Sequence, residues 1–309
     1  MAHDVIVLGV FAGDAIFEAA RLPVMGETLL GDSFSLGPGG KGSNQAIAAA
    51  KAGANTAIIT RLGDDAFGQL AHDTWEQAGV VPLVRVMPDE STGAAFIYLE
   101  KGSGRNAIIV CPGAATGLAG EDMDAQAEAI GGAKVFVTQL EQPLEAAQRG
   151  LEIARAAGVT TILNPAPAQH LTDEMLALCD ILTPNESETE ILTGLPVRTL
   201  EEAEAAAYAL HQRGPKHIIL TLGENGALWY DGQHMRTIDP MEAGPVVDTT
   251  GAGDAFNGGL AAGLASGADM RESLKFATAV AAISVTRKGA GLAMPSYADV
   301  AQFLNRSNM

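Results

Sequence analysis

Asp248-Thr249-Thr250-Gly251-Ala252-Gly253-Asp254-Ala255-Phe256 joins a short glycine loop to an apolar helical pattern that runs to about Ser266. Gly251 and Gly253 have no Cβ, so backbone N–H groups there can close on a ligand. The helix start adds unsatisfied N–H donors and the positive end of the helix dipole, which together favour an anion, typically a phosphate. Asp254 would repel that phosphate unless it has a task. A general base that takes a proton from an attacking hydroxyl resolves the conflict. A plain helix start, with its acid stabilised by the dipole, is the competing reading, and spacing alone leaves both open.

A second glycine cluster, Gly37-Pro38-Gly39-Gly40-Lys41-Gly42-Ser43-Asn44-Gln45, leads into an Ala-rich helix expected at about 43–52. It is not a Walker A loop, because Gly42 separates Lys41 from the hydroxyl residue. Neither cluster is a dinucleotide fingerprint: after Gly251 and Gly253, Phe256 stands where a third glycine belongs, late in the chain. Residues 37–44 alone read as a tight turn before a helix. Lys41 and Asn44, one cation and one amide beside exposed backbone, add a set suited to gripping hydroxyls.

Outward from these clusters the chain alternates strands and helices. Apolar runs of strand length occur at Val5–Gly9, Ala57–Leu62, Lys134–Thr138, Val159–Leu163, Asp180–Thr183 and His217–Thr221. Helical patterns at about 143–157, 186–192 and 200–213 separate or follow them. That rhythm predicts βαβ units and an α/β fold, with a mostly parallel sheet covered on both faces. Residues 11–36 and about 91–110 break the rhythm and read, in isolation, as edge hairpins. No internal repeat, low-complexity tract or linker interrupts the chain.

The 309 residues are 47% hydrophobic and 18% charged, enough to bury a substantial core. A formal charge of −18 argues against a nucleic-acid partner. An anionic substrate must then be captured by local N–H groups, a divalent metal and a few cations rather than by a general field. Cys111 and Cys179 form no CxxC pair and read as reduced core thiols, and the six histidines share no ligand spacing. No apolar run reaches membrane-spanning length, and Met1-Ala2-His3-Asp4 leads into a strand rather than a signal peptide. The expectation is a cytoplasmic protein with no membrane partner.

Taken together, the clusters resemble the ribokinase, or PfkB, family of sugar kinases. Gly39-Gly40-Lys41-Gly42-x-Asn44 is similar to its N-terminal signature and Asp248-Thr249-x-Gly251-Ala252-Gly253-Asp254 to its C-terminal one. Asn164-Pro165-Ala166-Pro167, Thr183-Pro184-Asn185-Glu186-x-Glu188 and Thr286-Arg287-Lys288-Gly289-Ala290 match further segments in the family's order, so the resemblance runs from Val5 to about Leu304. It implies one kinase domain over 1–309, with the segments 11–36 and 91–110 forming a small β-sheet lid. A lid has a physical purpose, since a kinase must exclude water or become an ATPase. The implied reaction transfers the γ-phosphate of ATP to a sugar's primary hydroxyl, D-ribose first among candidates. Mg²⁺ would assist, K⁺ would activate, and a homodimer would form through the lids.

Residue by residue, the resemblance implies Asp254 as general base, with Gly251, Ala252 and Gly253 completing the anion hole. Asp14, Gly40, Lys41, Asn44 and Glu141 match sugar-contacting positions. Asn185, Thr221, Gly223 and Gly226 match part of the nucleotide site, and Glu188 a water-mediated Mg²⁺ position. Asp248, Thr250, Ser284, Arg287 and Gly289 match a monovalent-cation site built mostly of backbone carbonyls. Each has a plainer reading: Asp14 as a turn acid, Glu141 as a solvated loop acid, Asn185 and Glu188 as a capping box, Thr221 to Gly226 as a strand-to-hairpin turn.

Two positions depart from the family. The first loop reads Gly9-Val10-Phe11-Ala12-Gly13-Asp14, with Ala12 where an Asn is usual, and Ala293 replaces a common Ser. Losing a partner for a buried hydroxyl costs about 1–3 kcal/mol, enough to change sugar preference. A kinase for another furanose, a ketose such as fructose, or a nucleoside therefore competes, with Phe11 and Ala12 shaping a different pocket. A non-catalytic sugar-binding regulator is the reading outside enzymology, and the intact Asp254 with its glycines argues against it.

Overall fold

The structure, a computed structural model, describes residues 2–103 and 105–307. Met1, Gly104, Asn308 and Met309, which fall within the expected 1–309 domain, and Gly104 also within the expected 91–110 lid segment, lie outside the described residues.

β1 (Val5–Leu8) sends Val5 and Val7 into one core and Ile6 and Leu8 into the other. An apolar strand buried on both faces belongs at the centre of a parallel sheet. β2 (Ala12–Ala19), β3 (Ser33–Gly39), α1 (Lys41–Lys51), β4 (Thr56–Gly63), α2 (Ala66–Ala78) and β5 (Val80–Met87) follow. Next come β6 (Gly93–Glu100), β7 (Asn106–Cys111), α3 (Gly120–Ala125), α4 (Ala127–Gly131), β8 (Val135–Thr138), α5 (Leu144–Ala156) and β9 (Thr160–Leu163). The remainder is α6 (Asp173–Leu176), β10 (Ile181–Leu182), α7 (Glu186–Thr193), α8 (Leu200–His211), β11 (His217–Thr221), β12 (Ala227–Tyr230) and β13 (Met235–Ile238). Three helices, α9 (Ala252–Ala265), α10 (Met270–Ser284) and α11 (Tyr297–Ser307), end it.

The main sheet has nine strands in the order β13-β12-β11-β10-β9-β8-β1-β4-β5. From β5 to β11 every pairing is parallel, and β12 and β13 add an antiparallel hairpin at one edge. Helices α1, α2, α9, α10 and α11 bury the Val5 face, while α3, α4, α5, α6, α7 and α8 bury the Ile6 face. The expected α/β architecture is therefore present. Among the described residues, no helix is long and apolar enough to cross a membrane.

The two segments read in isolation as edge hairpins do not border this sheet. They form a separate four-stranded sheet, β3-β2-β6-β7, joined at its middle by the parallel pairing of β2 with β6. Asp14 lies opposite Gly37 and Ala95 in its register, and Phe17 opposite Phe34 and Tyr98. The Phe17 ring lies 4.8 Å from that of Phe34 and 5.6 Å from that of Phe96, leaving an exposed aromatic face. Cys111 lies exposed on the edge strand β7, so only Cys179 is the core thiol expected of both.

Candidate active site

The chemistry-bearing residues gather where the parallel strands end. Leaving β1, the chain crosses Gly9 to Phe11 into the second sheet. β8 delivers Gln139 to Gln142, β9 delivers Asn164, β10 delivers Thr183 to Asn185 and β11 ends at Thr221. Carboxyl ends of strands are where open α/β sheets bind ligands.

Helix α1 starts at Lys41, two residues before the expected start, and its first turn rests on the end of β1. Gly42 is why it can. A Cβ there would lie 2.5 Å from Gly9 Cα and 2.7 Å from its carbonyl carbon, so only hydrogen fits between the two backbones. Ser43 accepts the Trp75 indole N–H at 2.9 Å, and Phe11 packs edge-on against the same indole, centroids 5.6 Å apart. Phe11 is thus a core residue and not the pocket-shaping ring that the sequence allowed, whereas Ala12 lies beside it at the start of β2.

Helix α9 begins at Ala252 behind its N-cap Gly251, left-handed at φ 76°, with no side-chain cap on its first N–H groups. An uncapped helix start leaves backbone donors free for an anion. Asp254 lies in that first turn and is only 6% exposed. Asn44 donates to its Oδ2 and Gln45 to its Oδ1, each at 3.0 Å. Burial drives the Asp254 carboxyl above the usual carboxylate range, while the Lys41 charge and the two amides pull it back. A second carboxylate, Glu141, accepts the Lys41 backbone N–H at 2.8 Å. Burial raises it too, against the pull of Lys41, and the charges of Asp254 and Asp14 add to the rise.

Asp14 is half-buried on β2, its carboxyl packed against Gly39, and burial pushes it up to about 6. A carboxyl raised by folding holds its proton more tightly folded than unfolded. Stability therefore falls as pH climbs from 3.8 to about 6, and the penalty persists above that window. Asp14→Asn is expected to melt higher than the parent at about pH 8, with the gap closing as the pH falls through that window. Thermal melts across pH check this, and a parent that melts no lower than the variant at the higher pH contradicts it.

Asn185 and Glu188 form a reciprocal capping box on α7: Asn185 Oδ1 accepts the Glu188 N–H at 2.8 Å, and Glu188 Oε2 accepts the Asn185 N–H at 2.9 Å. Burial raises Glu188 as well, against its bond from Asn185 and the Lys41 charge. Thr221 lies beside Asn185, its N–H on the Pro184 carbonyl at 2.9 Å, and Gly223 and Gly226 form the turn from β11 into β12. Asp248 accepts the Thr250 N–H on Oδ1 and the Gly289 N–H on Oδ2, each at 2.9 Å, and its own N–H meets the Val285 carbonyl. Ser284 turns its hydroxyl to its own helix at Ala281, and Arg287 pairs with Asp299 at 3.1 Å. Arg287 can offer a cation only its main-chain oxygen, whereas the Ser284 hydroxyl, as a donor to Ala281, keeps its own lone pairs beside the main-chain oxygen. Ala293 brings no oxygen from its side chain.

Sequence reasoning gave no role to Gln45, Gln139, Thr183 or Asn257. All four are buried and linked behind Asp254. A signal existed: at helical spacing Gln45 shares a face with Gly42, Ala48, Ala49 and Ala52, all small and without polar side chains, and buried amides need partners.

The profile of pfkB family carbohydrate kinases matches residues 2–296. The chain belongs to that family. A ribokinase of Haemophilus influenzae is 38% identical over 309 residues, covering 99% of this chain and 100% of that protein. A deoxyribokinase of Salmonella typhi is also 38% identical, over 98% of this chain and 99% of its own. An Arabidopsis thaliana ribokinase solved with ribose and ATP superposes with a TM-score of 0.95 at 34% identity, covering 98% of this chain and 99% of that one. As a PfkB member the chain is a carbohydrate kinase, and the nine-stranded sheet with its small companion sheet is the ribokinase-like fold.

Proposed function

We propose that this carbohydrate kinase transfers the γ-phosphoryl group of ATP to the primary hydroxyl of D-ribose, giving ADP and D-ribose 5-phosphate. The observation that carries the reading is Asp254: a buried carboxylate, bound on both oxygens by amides, in the first turn of an uncapped helix. Asp254 takes the hydroxyl proton as the sugar oxygen bonds to the γ-phosphorus and the bond from that phosphorus to the ADP oxygen breaks. N–H groups of the 251–254 loop receive the charge on the transferring group, in a reaction where positioning and electrostatics do most of the work. Asn44 Oδ1 is buried with no partner among the described residues, an acceptor suited to a sugar hydroxyl. Asp14, Gly40, Lys41 and Glu141 complete the sugar grip in this reading, and Thr221, Gly223, Gly226 and Asn185 the nucleotide side.

The donor sets fit the two cations the reading calls for. Each Glu188 oxygen accepts one bond, from the Asn185 N–H or its Nδ2, leaving lone pairs for a water-mediated Mg²⁺. The Asp248 carboxylate, whose hydrogen bonds outweigh burial and hold it below the usual range, likewise keeps free lone pairs. With main-chain oxygens of Thr250, Ser284, Arg287 and Gly289 it would hold K⁺. Bound there, Mg²⁺ would neutralise phosphate charge and K⁺ would offset the Asp248 charge beside the anion loop. In this reading the second sheet acts as the lid and the working form is a homodimer joined through it, a pairing supported by the exposed Phe17, Phe34 and Phe96 face, which suits the matching face of a second copy.

A second acceptor, 2-deoxy-D-ribose, is favoured by two observations: Ala12 offers no amide to a ring hydroxyl, and a deoxyribokinase stands among the relatives. ADP release with D-ribose, 2-deoxy-D-ribose, D-fructose and adenosine, under Mg²⁺ and K⁺, separates the readings. The highest kcat/KM is expected with D-ribose. A higher value with 2-deoxy-D-ribose moves the assignment to that sugar, and no turnover with any acceptor overturns the kinase assignment to this sugar class.

A further inference from the structure

Behind Asp254 lies a chain of buried amides to which the phosphoryl-transfer reading assigns no work. It begins at the Thr183 carbonyl, which can only accept. Asn164 must therefore turn its Nδ2 toward that carbonyl, which it meets at 2.9 Å, and present Oδ1 on its other side. Oδ1 can only accept as well, so Gln45 faces it with Nε2, at 3.2 Å. The second hydrogen of the same Nε2 goes to Asp254 Oδ1 at 3.0 Å. From the opposite side Gln139 Nε2 donates to Gln45 Oε1 at 2.6 Å, which fits only this sense of the Gln45 amide. One backbone carbonyl thereby dictates the direction of every amide up to the carboxylate. Thr183 also grips the loop from beneath: its hydroxyl donates to Asn257 Oδ1 at 2.6 Å, and Asn257 Nδ2 to the Gly253 carbonyl at 2.9 Å.

We propose that Gln45 is a positioning residue for Asp254: oriented by Asn164 and Gln139, it holds one carboxylate oxygen while Asn44 holds the other. Gln45 is 0% exposed, so it acts through Asp254 and not on the sugar. The proposal rests on Asp254 being the base of the reaction. Burial opposes the charged carboxylate, and donors on both oxygens favour it. The ionisable groups facing Asp254 are Lys41 on α1, which favours its charge, and two acids that oppose it. These are Glu141 in the loop after β8 and Glu188 on α7, with Asp14 on β2 acting on Glu141. Among these neighbours Gln45 differs in kind, since it does not titrate and remains a donor at every pH.

Gln45→Met keeps the length of the side chain and removes the donor. The Asp254 carboxyl is followed directly by ¹³C-carboxyl NMR titration, its resonance identified by its loss in Asp254→Asn, alongside pH profiles of kcat and KM with D-ribose. The midpoint is expected to rise by about one to two pH units, the value of one donor to a charged group. The acid limb of kcat should move up by the same amount, with the KM for D-ribose within about threefold of the parent. An unmoved midpoint, or a kcat lowered by one factor at every pH, overturns the proposal. Gln139→Met removes the donor to Gln45 Oε1 and leaves Asn164 alone to orient the amide; a smaller shift in the same direction is expected, and none would overturn the orienting role of Gln139 even if Gln45→Met does not fold. A shifted midpoint in a protein that does not phosphorylate D-ribose would uphold the positioning and refute the substrate instead.

Discussion

Asp254→Asn is expected to lower turnover roughly 10²–10⁴-fold, the usual cost of removing a general base. Fold and ATP binding should survive, because Asn is nearly isosteric and because the helix start that receives the phosphate is main chain, uncapped from Gly251 onward. The new amide would meet Asn44 Nδ2 and Gln45 Nε2, both donors, so one of its two positions faces an N–H₂ group instead of a lone pair. A small loss of stability is therefore expected beside the large loss of rate. Steady-state kinetics with matched melting curves check both. A variant that turns over within about threefold of the parent removes Asp254 from the chemistry.

Gly42→Ala carries the second large effect. Its new Cβ would press on Gly9 Cα at 2.5 Å and on the Val10 nitrogen at 2.8 Å. These are backbone atoms of the segment leaving the central strand, so relief means lifting the first turn of α1 away from β1. Overpacking of this kind costs about 1–3 kcal/mol, or several degrees of melting temperature in a protein of this size. The same turn carries Lys41, Asn44 and Gln45, and a displacement of about 1 Å at such a site can cost 10²-fold in rate. The variant should thus lose rate out of proportion to its loss of stability. Parent-like kcat and melting temperature together would mean that the contact between α1 and β1 does not set the site.

The parts that could be read in the sequence are the local ones. The glycine loop from Asp248 to Asp254, the turn from Gly39 to Asn44 and the capping box from Asn185 to Glu188 each lie within a few residues, and the alternation of apolar runs exposes the parallel sheet. The amide chain behind Asp254 could not be read, because its contacts span 94 residues from Gln45 to Gln139, 119 to Asn164 and 209 to Asp254. The local pattern of the second sheet suggests only edge hairpins, and the family resemblance alone implies a separate small sheet, for the same reason: β2 pairs in parallel with β6, far along the chain, and no local pattern announces such a partner. Some of what escaped was in plain view. Asp65 caps α2 by accepting the Gly68 N–H, and Asp269 with Glu272 makes a capping box at the start of α10, both recognisable signals of helices that the alternation reading passed over.

The most direct test follows the phosphorus. ³¹P NMR of the protein with ATP, Mg²⁺, K⁺ and D-ribose should show the γ-phosphate signal replaced, mole for mole, by ADP and one sugar monophosphate whose phosphorus couples to the C5 protons. ATP turned over to ADP and inorganic phosphate, or left intact while the protein stays folded, would contradict phosphoryl transfer from ATP to ribose at the Asp254 site.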